Sequence, residues 1–319
     1  MDFQALKERF YATGSLSAAE GLYVLTDAPL KELLAFSHAV TEEHAPGHFD
    51  LCSICNVKSG RCSEDCHWCA QSRRYATEVA EYGVLAPEAV CAQAKAQHAY
   101  GVGRFALVAS GRRQTGADFM RLLDVYAALG ELEGLKLCAS LGLCTKEQLQ
   151  DLKAAGVKRI HCNLETAPSF FPQICSTHGI EEKIRVIKDA QSLGLEVCSG
   201  GILGLGESLE QRVEFCLTLR SLNVRSIPLN ILHPIAGTPL SKAPRLLKEE
   251  FWRVVALFRL TIPDAWLRFA GGRAQYDADF TRVALYAGVN ASIVGNLLTT
   301  AGREIENDLR LFKEAGYAL

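Results

Sequence analysis

Short apolar runs alternate with amphipathic stretches along most of this chain. Runs of six to nine residues, typical of buried strands, occur at 49–57, 104–110, 135–141, 158–165, 195–202, 225–232, 265–270 and 290–295. Between these runs, stretches such as 116–129 and 180–194 carry apolar residues at three- and four-residue spacing. This spacing predicts amphipathic helices that cover the strands.

The number of these strand–helix units predicts the fold class. Eight units in about 270 residues match the size of a closed (βα)8 barrel of the TIM type. An open doubly wound sheet uses the same alternation, but the even spacing and the count of eight favour the barrel. The first 45 residues carry only a helical pattern. We therefore expect an α/β protein with an N-terminal helical extension (1–45) and a barrel domain (46–319).

Several predicted strands carry one polar or sulfur-containing residue in an otherwise apolar run. These residues are Cys138, Asn163, Cys198, Asn230 and Arg268. Taken singly, Cys138 or Cys198 is explained as an inert core cysteine, whereas a buried Arg268 needs a partner. Because barrel enzymes carry their chemistry at the carboxyl ends of the strands, the whole set predicts the lining of one internal site.

Composition and charge narrow the class of protein. The chain has 319 residues, is 49% hydrophobic and carries 34 basic against 36 acidic side chains, so no excess charge favours nucleic acid or an anionic membrane. No run is long enough to span a membrane and the start lacks a secretory apolar region, so we expect a cytoplasmic protein. The unusual feature is the presence of 12 cysteines, which in the cytoplasm are more typical of metal or redox sites than of disulfides.

The densest cysteine motif directly follows the first predicted strand. Cys62, Cys66 and Cys69 form a C-x3-C-x2-C pattern. Three thiolates leave one iron of a four-iron cube open to a substrate or cofactor, and they leave a tetrahedral zinc ion one ligand short. A structural zinc site, with His67 or a distant cysteine as the fourth ligand, is the alternative.

This motif, on the loop after the first strand of a βα barrel, resembles that of the radical S-adenosylmethionine (SAM) enzymes. The segments CSEDCHWCAQS, VCSGGILGLGE, NILHPIAGTPL, LRFAGGR and GNLLTTAG are, in this order, similar to segments of the biotin synthases. The resemblance implies radical insertion of sulfur into dethiobiotin. It also implies a flavodoxin- or ferredoxin-type electron donor and a homodimer.

The resemblance implies roles for individual residues. Cys62, Cys66 and Cys69 would hold a [4Fe–4S] cluster whose open iron binds SAM. Five further positions match residues that surround SAM in the family: Trp68 beside the adenine, Glu165 at the ribose, Lys183 at the carboxylate, and Gly201 and Gly204 on a glycine-rich strand end. Asn163 and Asn230 match asparagines that bind dethiobiotin, and His161 occupies the position of a further asparagine. Amide side chains suit the ureido ring, which offers two N–H donors and a carbonyl acceptor.

The chain departs from the family at the second cluster, the sulfur donor. The family usually holds a [2Fe–2S] cluster with cysteines of strands 2, 3 and 5 and an arginine of strand 7. Cys138, Cys198 and Arg268 match three of these positions, but Ala106 occupies the fourth.

Strand 1 offers two cysteines, Cys52 and Cys55, that the common pattern lacks. We therefore expect Cys52, Cys55, Cys138 and Cys198 to hold an altered auxiliary cluster, with Arg268 contributing charge or a weak ligand. Four thiolates suit a four-iron cluster carrying an extra sulfide, with a [2Fe–2S] centre as the alternative. Loss of the second cluster, with Cys52 and Cys55 as core residues, is the remaining interpretation. Cys144 and Cys162 are weaker candidates as substitute ligands, and the loop around Cys175 stays unexplained.

Two other functions are compatible with parts of this pattern. The altered ligands would suit a different radical SAM reaction, such as a methylornithine synthase-like rearrangement or a hydrogenase-maturation step. An electron carrier or structural metal protein would share the cysteine loop but needs no enclosed substrate cavity. The joint presence of the strand cysteines, Arg268 and the two asparagines favours sulfur insertion into dethiobiotin.

Overall fold

Nine parallel strand segments close into a barrel in the computed structural model, which describes residues 2–45, 47–298 and 304–319. The segments are β1 (Asp50–Lys58), β2 (Arg104–Ala109), β3 (Lys136–Ser140), β4 (Val157–His161), β5 (Glu196–Cys198), β6 (Gly201–Leu203), β7 (Ser226–Ile231), β8 (Trp266–Phe269) and β9 (Ala291–Ile293). Their order is β5-β4-β3-β2-β1-β9-β8-β7-β6, and β5 also pairs with β7, so the ends of the sheet meet. The predicted TIM-type barrel is confirmed.

The fifth predicted strand is divided into β5 and β6 by a close approach of neighbouring backbones. A Cβ atom on Gly200 would lie 1.9 Å from the carbonyl oxygen of Pro228, and one on Gly201 would lie 2.3 Å from that of Glu165. Only glycine tolerates such contacts. Because β5 and β6 share one position in the barrel, nine segments fill eight positions.

The helices surround the barrel and precede it. In the described residues they are α1 (Phe3–Thr13), α2 (Ala18–Thr26), α3 (Leu30–His44), α4 (Pro87–His98), α5 (Gly116–Leu129), α6 (Lys146–Ala154), α7 (Ile180–Ser192), α8 (Leu209–Ser221), α9 (Lys248–Thr261), α10 (Ala278–Tyr286) and α11 (Ile305–Glu314). Ser17, Thr145 and Ser208 cap α2, α6 and α8 by accepting a backbone N–H three residues further on.

The three N-terminal helices precede β1, as the helical pattern of 1–45 predicts. Helices α2 and α3 pack against α9, and α2 also contacts α8. Residue 46, at the predicted domain boundary, and the end of the GNLLTTAG segment lie outside the described residues. Among the helices that are described, none combines the length and the apolar character that crossing a membrane requires.

Candidate functional site

The three cysteines of the C-x3-C-x2-C motif lie on a loop that folds back on itself after β1. The Cys62 N–H donates to the Gln71 carbonyl at 2.9 Å, and the Arg73 N–H donates to the Cys62 carbonyl at 2.9 Å. A turn bond of 3.0 Å from the Cys69 N–H to the Cys66 carbonyl joins the other two cysteines. The backbone therefore presents all three thiols from one short loop.

The three thiols do not gather as closely as the ligands of a single ion would. Among the described residues, the metal-ligand atoms that gather within 4.8 Å of one another include Cys66 but neither Cys62 nor Cys69. Ligands of one tetrahedral zinc ion lie about 3.8 Å apart, given bonds of about 2.3 Å. Burial raises the pKa of Cys62 and raises that of Cys69 to about 11, so these thiols stay protonated at neutral pH until a metal displaces their protons. The geometry disfavours the zinc alternative.

A cavity of about 270 Å³ opens between this loop and the carboxyl ends of the strands. It brings together residues that were predicted separately for the cofactor and for the substrate: Trp68, Cys69, His161, Asn163, Glu165, Cys198 and Asn230. Small-molecule sites are typically concave and mostly apolar with a few placed polar groups, and this cavity has that character. One continuous cavity thus connects the cysteine loop with the interior of the barrel.

Glu165 is held in an unusual backbone conformation at the wall of the cavity. Its φ of 74° is rare for a residue other than glycine. Its N–H donates to the Gly200 carbonyl at 3.0 Å, and its own carbonyl accepts the Ile202 N–H at 2.8 Å. Burial raises the pKa of Glu165, and the positive charge of Lys183 partly offsets this rise. Lys183 does not line the cavity; its ammonium group donates to the Asn163 carbonyl at 3.0 Å.

The two glycines predicted at the cofactor do not line the cavity. Gly201 is required where β6 passes the Glu165 carbonyl, as described above. Gly204 has a φ of 90°, and its N–H donates to the Glu207 carboxylate at 2.9 Å. Packing and a turn explain both glycines, and their contact with a cofactor stays a prediction.

Asn163 and Asn230 are fixed by backbone groups at the cavity wall. Asn163 accepts the Gly200 N–H at 3.1 Å. Asn230 donates to the Gly201 carbonyl at 2.9 Å and accepts the Gly271 N–H at 2.8 Å. These bonds set the orientation of both amides without a ligand, which is the preorganisation that a binding site requires.

Inside the barrel, the thiols of Cys52 on β1 and Cys138 on β3 contact each other next to Ala106 of β2. Cys138 pairs with Ala106 across β3 and β2, and both cysteines belong to a small apolar cluster inside the barrel. Their hydrogen bond lowers the pKa of Cys52 to about 7 and, together with burial, raises the pKa of Cys138 well above its usual value. Cys198 is buried at the end of β5 and its thiol accepts the Ser226 hydroxyl at 3.3 Å. Cys52 therefore places a thiol beside Ala106, and its role as a cluster ligand stays a prediction.

The structure corrects the prediction for Cys55. Residues three apart in a strand point to opposite faces, so Cys55 points away from the face that Cys52 occupies. Cys55 packs in the outer core between the barrel and its helices, with Tyr126 of α5 as a neighbour. Burial alone raises its pKa to about 11. The cysteines that the structure gathers inside the barrel are Cys52, Cys138 and Cys198.

Arg268 belongs to a layer of three arginines that surrounds Asp50. Its guanidinium donates to the Asp50 carboxylate at 2.5 Å and to the Asp50 carbonyl at 2.9 Å. Arg159 and Arg104 approach the same carboxylate at 3.3 Å and 3.4 Å. Burial raises the pKa of Asp50, but the three guanidinium groups outweigh it and bring the pKa to about 2. Arg268 does not line the cavity, and its predicted catalytic role stays a prediction.

Several buried polar atoms on these strands have no hydrogen-bond partner among the described residues, and two of them bear on the cluster. They are Nη1 of Arg104 and Nε2 of His161. Burial lowers the pKa of His161 to about 3, and the charges of Arg159 and Arg268 act in the same direction, so the imidazole is neutral. Buried polar groups are rarely left unpaired. Three thiols beside an arginine layer and unpaired polar atoms fit an anionic iron–sulfur cluster.

The sequence analysis missed Cys175 and His178 as neighbours of the cysteine loop. The Cys175 sulfur lies 3.7 Å from that of Cys66 and 3.4 Å from Nδ1 of His178. The bond with Cys66, followed by the His178 contact, lowers the pKa of Cys175 to about 4. A C-x2-H spacing, Cys175 to His178, was the available signal. Cys144 and Cys162 lie in the outer core, away from the three cysteines inside the barrel.

Two protein-family models match successive parts of the chain. A radical SAM superfamily model matches residues 56–219, and a biotin and thiamin synthesis associated domain matches residues 228–318. The biotin synthase of Porphyromonas gingivalis is 47% identical over 98% of this chain and 95% of its own length. The biotin synthase of Pelotomaculum thermopropionicum is 48% identical over 90% of this chain and 89% of its own.

Solved structures share the fold at much lower identity. Methylornithine synthase has a TM-score of 0.83 at 16% identity and covers 98% of this chain and 96% of its own. The FeFe-hydrogenase maturase HydG from Carboxydothermus hydrogenoformans has a TM-score of 0.83 at 15% identity, covering 98% of this chain and 79% of its own. At these identities the likeness shows the fold alone.

Proposed function

The chain belongs to the biotin synthase family of radical SAM enzymes, and on this premise we propose that it inserts sulfur into dethiobiotin to form biotin. One observation carries the proposal: a single cavity extends from the cysteine loop, at Cys69, to the inner cysteines, at Cys198. Sulfur insertion needs a radical source and a sulfur source on either side of one substrate. An electron carrier needs no such cavity.

The cofactor end of the cavity is formed by the cysteine loop and Glu165. Cys62, Cys66 and Cys69 would hold the [4Fe–4S] cluster, which when bound would supply the electron that cleaves SAM to a radical able to abstract a hydrogen atom from saturated carbon. Trp68 and Glu165 line the adjacent wall, where they suit the adenine and the ribose. Lys183 is close enough to Glu165 to act on its pKa and would provide a positive charge for the carboxylate end of SAM.

The substrate would lie between Asn163 and Asn230. The side chain of Asn163 bonds both to the Gly200 N–H and to Glu165, so it links the cofactor wall to the substrate wall. The amide of Asn230 is hydrogen-bonded to two backbone groups, which fixes its orientation at the opposite wall. The remaining lining is largely aliphatic, which suits a radical reaction that has to be shielded from water.

The sulfur source would be an auxiliary cluster held by Cys52, Cys138 and Cys198. A two-iron centre needs four protein ligands, and Arg268, which would have to be the fourth, is already bonded to Asp50. Three thiolates on a four-iron cluster leave one iron open, and an additional sulfide at that iron would be the transferable atom. The arginine layer below the cysteines stabilises the negative charge of such a group. We infer the four-iron form, with [2Fe–2S] as the alternative.

The activity assay uses anaerobically reconstituted, reduced protein with SAM and dethiobiotin. We expect biotin and 5′-deoxyadenosine, measured by mass spectrometry, and no biotin from Cys62→Ala. Formation of 5′-deoxyadenosine without biotin would indicate a different radical SAM reaction. Absence of SAM cleavage would contradict an enzymatic role. A flavodoxin- or ferredoxin-type reductant, a homodimer and a cytoplasmic location belong to the same proposal.

Iron and sulfide analysis of the same protein tests the auxiliary cluster. About eight irons per chain are expected for two four-iron clusters, and about six would indicate a [2Fe–2S] auxiliary centre. About four would leave only the SAM cluster and contradict the proposal for the inner cysteines.

A further inference from the structure

Cys66, Cys175 and His178 form a second group of metal-ligand side chains beside the cysteine loop. One ligand atom from each residue lies within 4.8 Å of the other two. The two sulfurs are 3.7 Å apart, and the Cys175 sulfur lies 3.4 Å from Nδ1 and 3.9 Å from Nε2 of His178. None of the three residues lines the cavity, so this group is distinct from the substrate site.

The distances match those between the ligands of a tetrahedral zinc ion. With Zn–S bonds of about 2.3 Å and Zn–N bonds of about 2.0–2.1 Å, a tetrahedral angle separates two sulfurs by about 3.8 Å and a sulfur from a nitrogen by about 3.6 Å. The observed separations, 3.7 Å between the two sulfurs and 3.9 Å from the Cys175 sulfur to Nε2, lie within about 0.3 Å of these values. A four-iron cluster spreads its thiolates more widely, so this group has the dimensions of a mononuclear site.

Glu64 orients the imidazole of His178 for this role. Its carboxylate lies 2.7 Å from Nδ1, and both side chains are more than nine-tenths buried. A carboxylate on one imidazole nitrogen fixes the tautomer and leaves the other nitrogen as the metal ligand, an arrangement found at many zinc sites. Because Glu64 occupies Nδ1, Nε2, which lies 3.9 Å from the Cys175 sulfur, is the nitrogen left for a metal.

The segment that carries Cys175 is attached to the cysteine loop by bonds that need no metal. The Asp65 carboxylate accepts the Ser176 N–H at 2.9 Å and the Thr177 N–H at 3.2 Å. The His67 N–H donates to the Ile174 carbonyl at 3.0 Å. The separation between Cys66 and Cys175 is therefore set by the fold.

We propose that Cys66, Cys175 and His178 bind one thiophilic divalent cation, Zn²⁺ or Fe²⁺, when the SAM cluster is not assembled. Water completes the tetrahedron, and the partial exposure of Cys66 gives the metal access. The bound ion takes up the two thiolates, whose protons are released to solvent. The inference rests on the proposed function only in that Cys66 is also a cluster ligand. Because one thiolate cannot serve both sites, zinc binding and cluster assembly exclude each other.

The binding test uses the full chain in its iron-free form, titrated anaerobically with Zn²⁺ against a chromophoric chelator. Co²⁺ substitution then reports tetrahedral thiolate coordination in the visible spectrum. We expect one site per chain, weakened more than about 100-fold in Cys175→Ala and in His178→Ala. Cys62→Ala and Cys69→Ala are the matched controls, because they remove thiols of the same loop that lie outside the group, and they retain the site.

Glu64→Gln keeps all three ligands and is expected to weaken zinc binding by about 10–100-fold. It keeps the proposal testable if either ligand variant fails to fold, which thermal unfolding of each protein reveals. No zinc binding by the wild-type chain would overturn the proposal. So would a site that Cys62→Ala or Cys69→Ala abolishes and Cys175→Ala leaves intact, because zinc would then occupy the C-x3-C-x2-C motif.

A second measurement tests whether zinc binding and assembly of the SAM cluster exclude each other. Equimolar Zn²⁺ present during reconstitution is expected to block the SAM cluster in the wild-type chain, read from iron content and visible absorbance, and to block it much less in Cys175→Ala. Equal inhibition of both proteins would overturn the exclusion. Neither measurement uses SAM or dethiobiotin, so a failure here is distinguishable from a failure of the proposed activity.

Discussion

Alanine substitutions of Cys52 and Cys55 test which face of β1 carries the auxiliary cluster. The two cysteines lie in one strand, and each is only 1% exposed. Each substitution deletes one buried sulfur atom, a loss comparable to that of a buried methylene, and so costs about 1 kcal/mol of the free energy of unfolding. Because the two substitutions destabilise the protein equally, a difference in iron content between the variants shows which face of β1 binds the cluster and is not caused by partial unfolding.

Cys52→Ala is expected to lose the auxiliary irons, about four per chain for the four-iron form, and to form no biotin. It retains the SAM cluster, so 5′-deoxyadenosine is still produced. Cys55→Ala is expected to retain both clusters and biotin formation, because its sulfur faces the helices. Iron analysis, Mössbauer spectra and a single-turnover assay of both variants supply the comparison.

Two results would refute this reasoning. If Cys55→Ala lost the auxiliary irons, β1 would have to twist on cluster binding and the assignment of faces would be wrong. If both variants kept a full iron content, neither thiol would be a ligand, and the auxiliary cluster would depend on Cys138 and Cys198 without help from β1.

Three further substitutions have defined outcomes. Cys62→Ala is expected to lose SAM cleavage and about four irons per chain while its thermal unfolding stays near that of the wild type; retained cleavage would contradict the assignment. Asp50→Asn leaves the buried guanidinium of Arg268 without a carboxylate, while Arg159 and Arg104 keep only Glu196, and it is expected to lower the free energy of unfolding by about 3–5 kcal/mol at neutral pH. Because the pKa of Asp50 is lowered from 3.8 to about 2, its stabilisation is present above pH 3.8 and is lost as the pH falls towards 2. The difference between wild type and variant, measured by urea unfolding of iron-free protein, should therefore shrink over that interval, and a constant difference would contradict the ion-pair account. Asn230→Ala leaves the Gly271 N–H unpaired and is expected to raise the KM for dethiobiotin and to destabilise the fold by about 1–3 kcal/mol; an unchanged KM would remove Asn230 from the substrate wall.

The barrel was predictable because its signal is local and repeated. Each strand–helix unit carries its own apolar period, and eight repeats leave few alternatives. The division of the fifth strand at Gly200 was not predictable, because it depends on the Pro228 carbonyl of a neighbouring strand. The ion pair between Asp50 and Arg268 is likewise invisible in sequence, since it joins residues 218 positions apart.

Two features of the site were present in the sequence and were misread or missed. A C-x2-C motif brings two thiols together in a turn, but within β1 the same spacing sends Cys52 and Cys55 to opposite faces. The alternation of side chains along the strand, and not the C-x2-C spacing, thus determines where the two thiols point. Cys175 and His178 form a C-x2-H pair, but only the fold shows that this pair lies against Cys66.

Isotopic labelling tests the central claim, that sulfur from the inner cysteine site enters dethiobiotin. The clusters are reconstituted with sulfide of a heavy sulfur isotope, free sulfide is removed, and the protein is given SAM, dethiobiotin and reductant for one turnover. The account predicts that the biotin formed carries the heavy isotope, and that Cys52→Ala forms 5′-deoxyadenosine but no biotin. Biotin with natural sulfur, or labelled biotin from Cys52→Ala at the wild-type level, would contradict it.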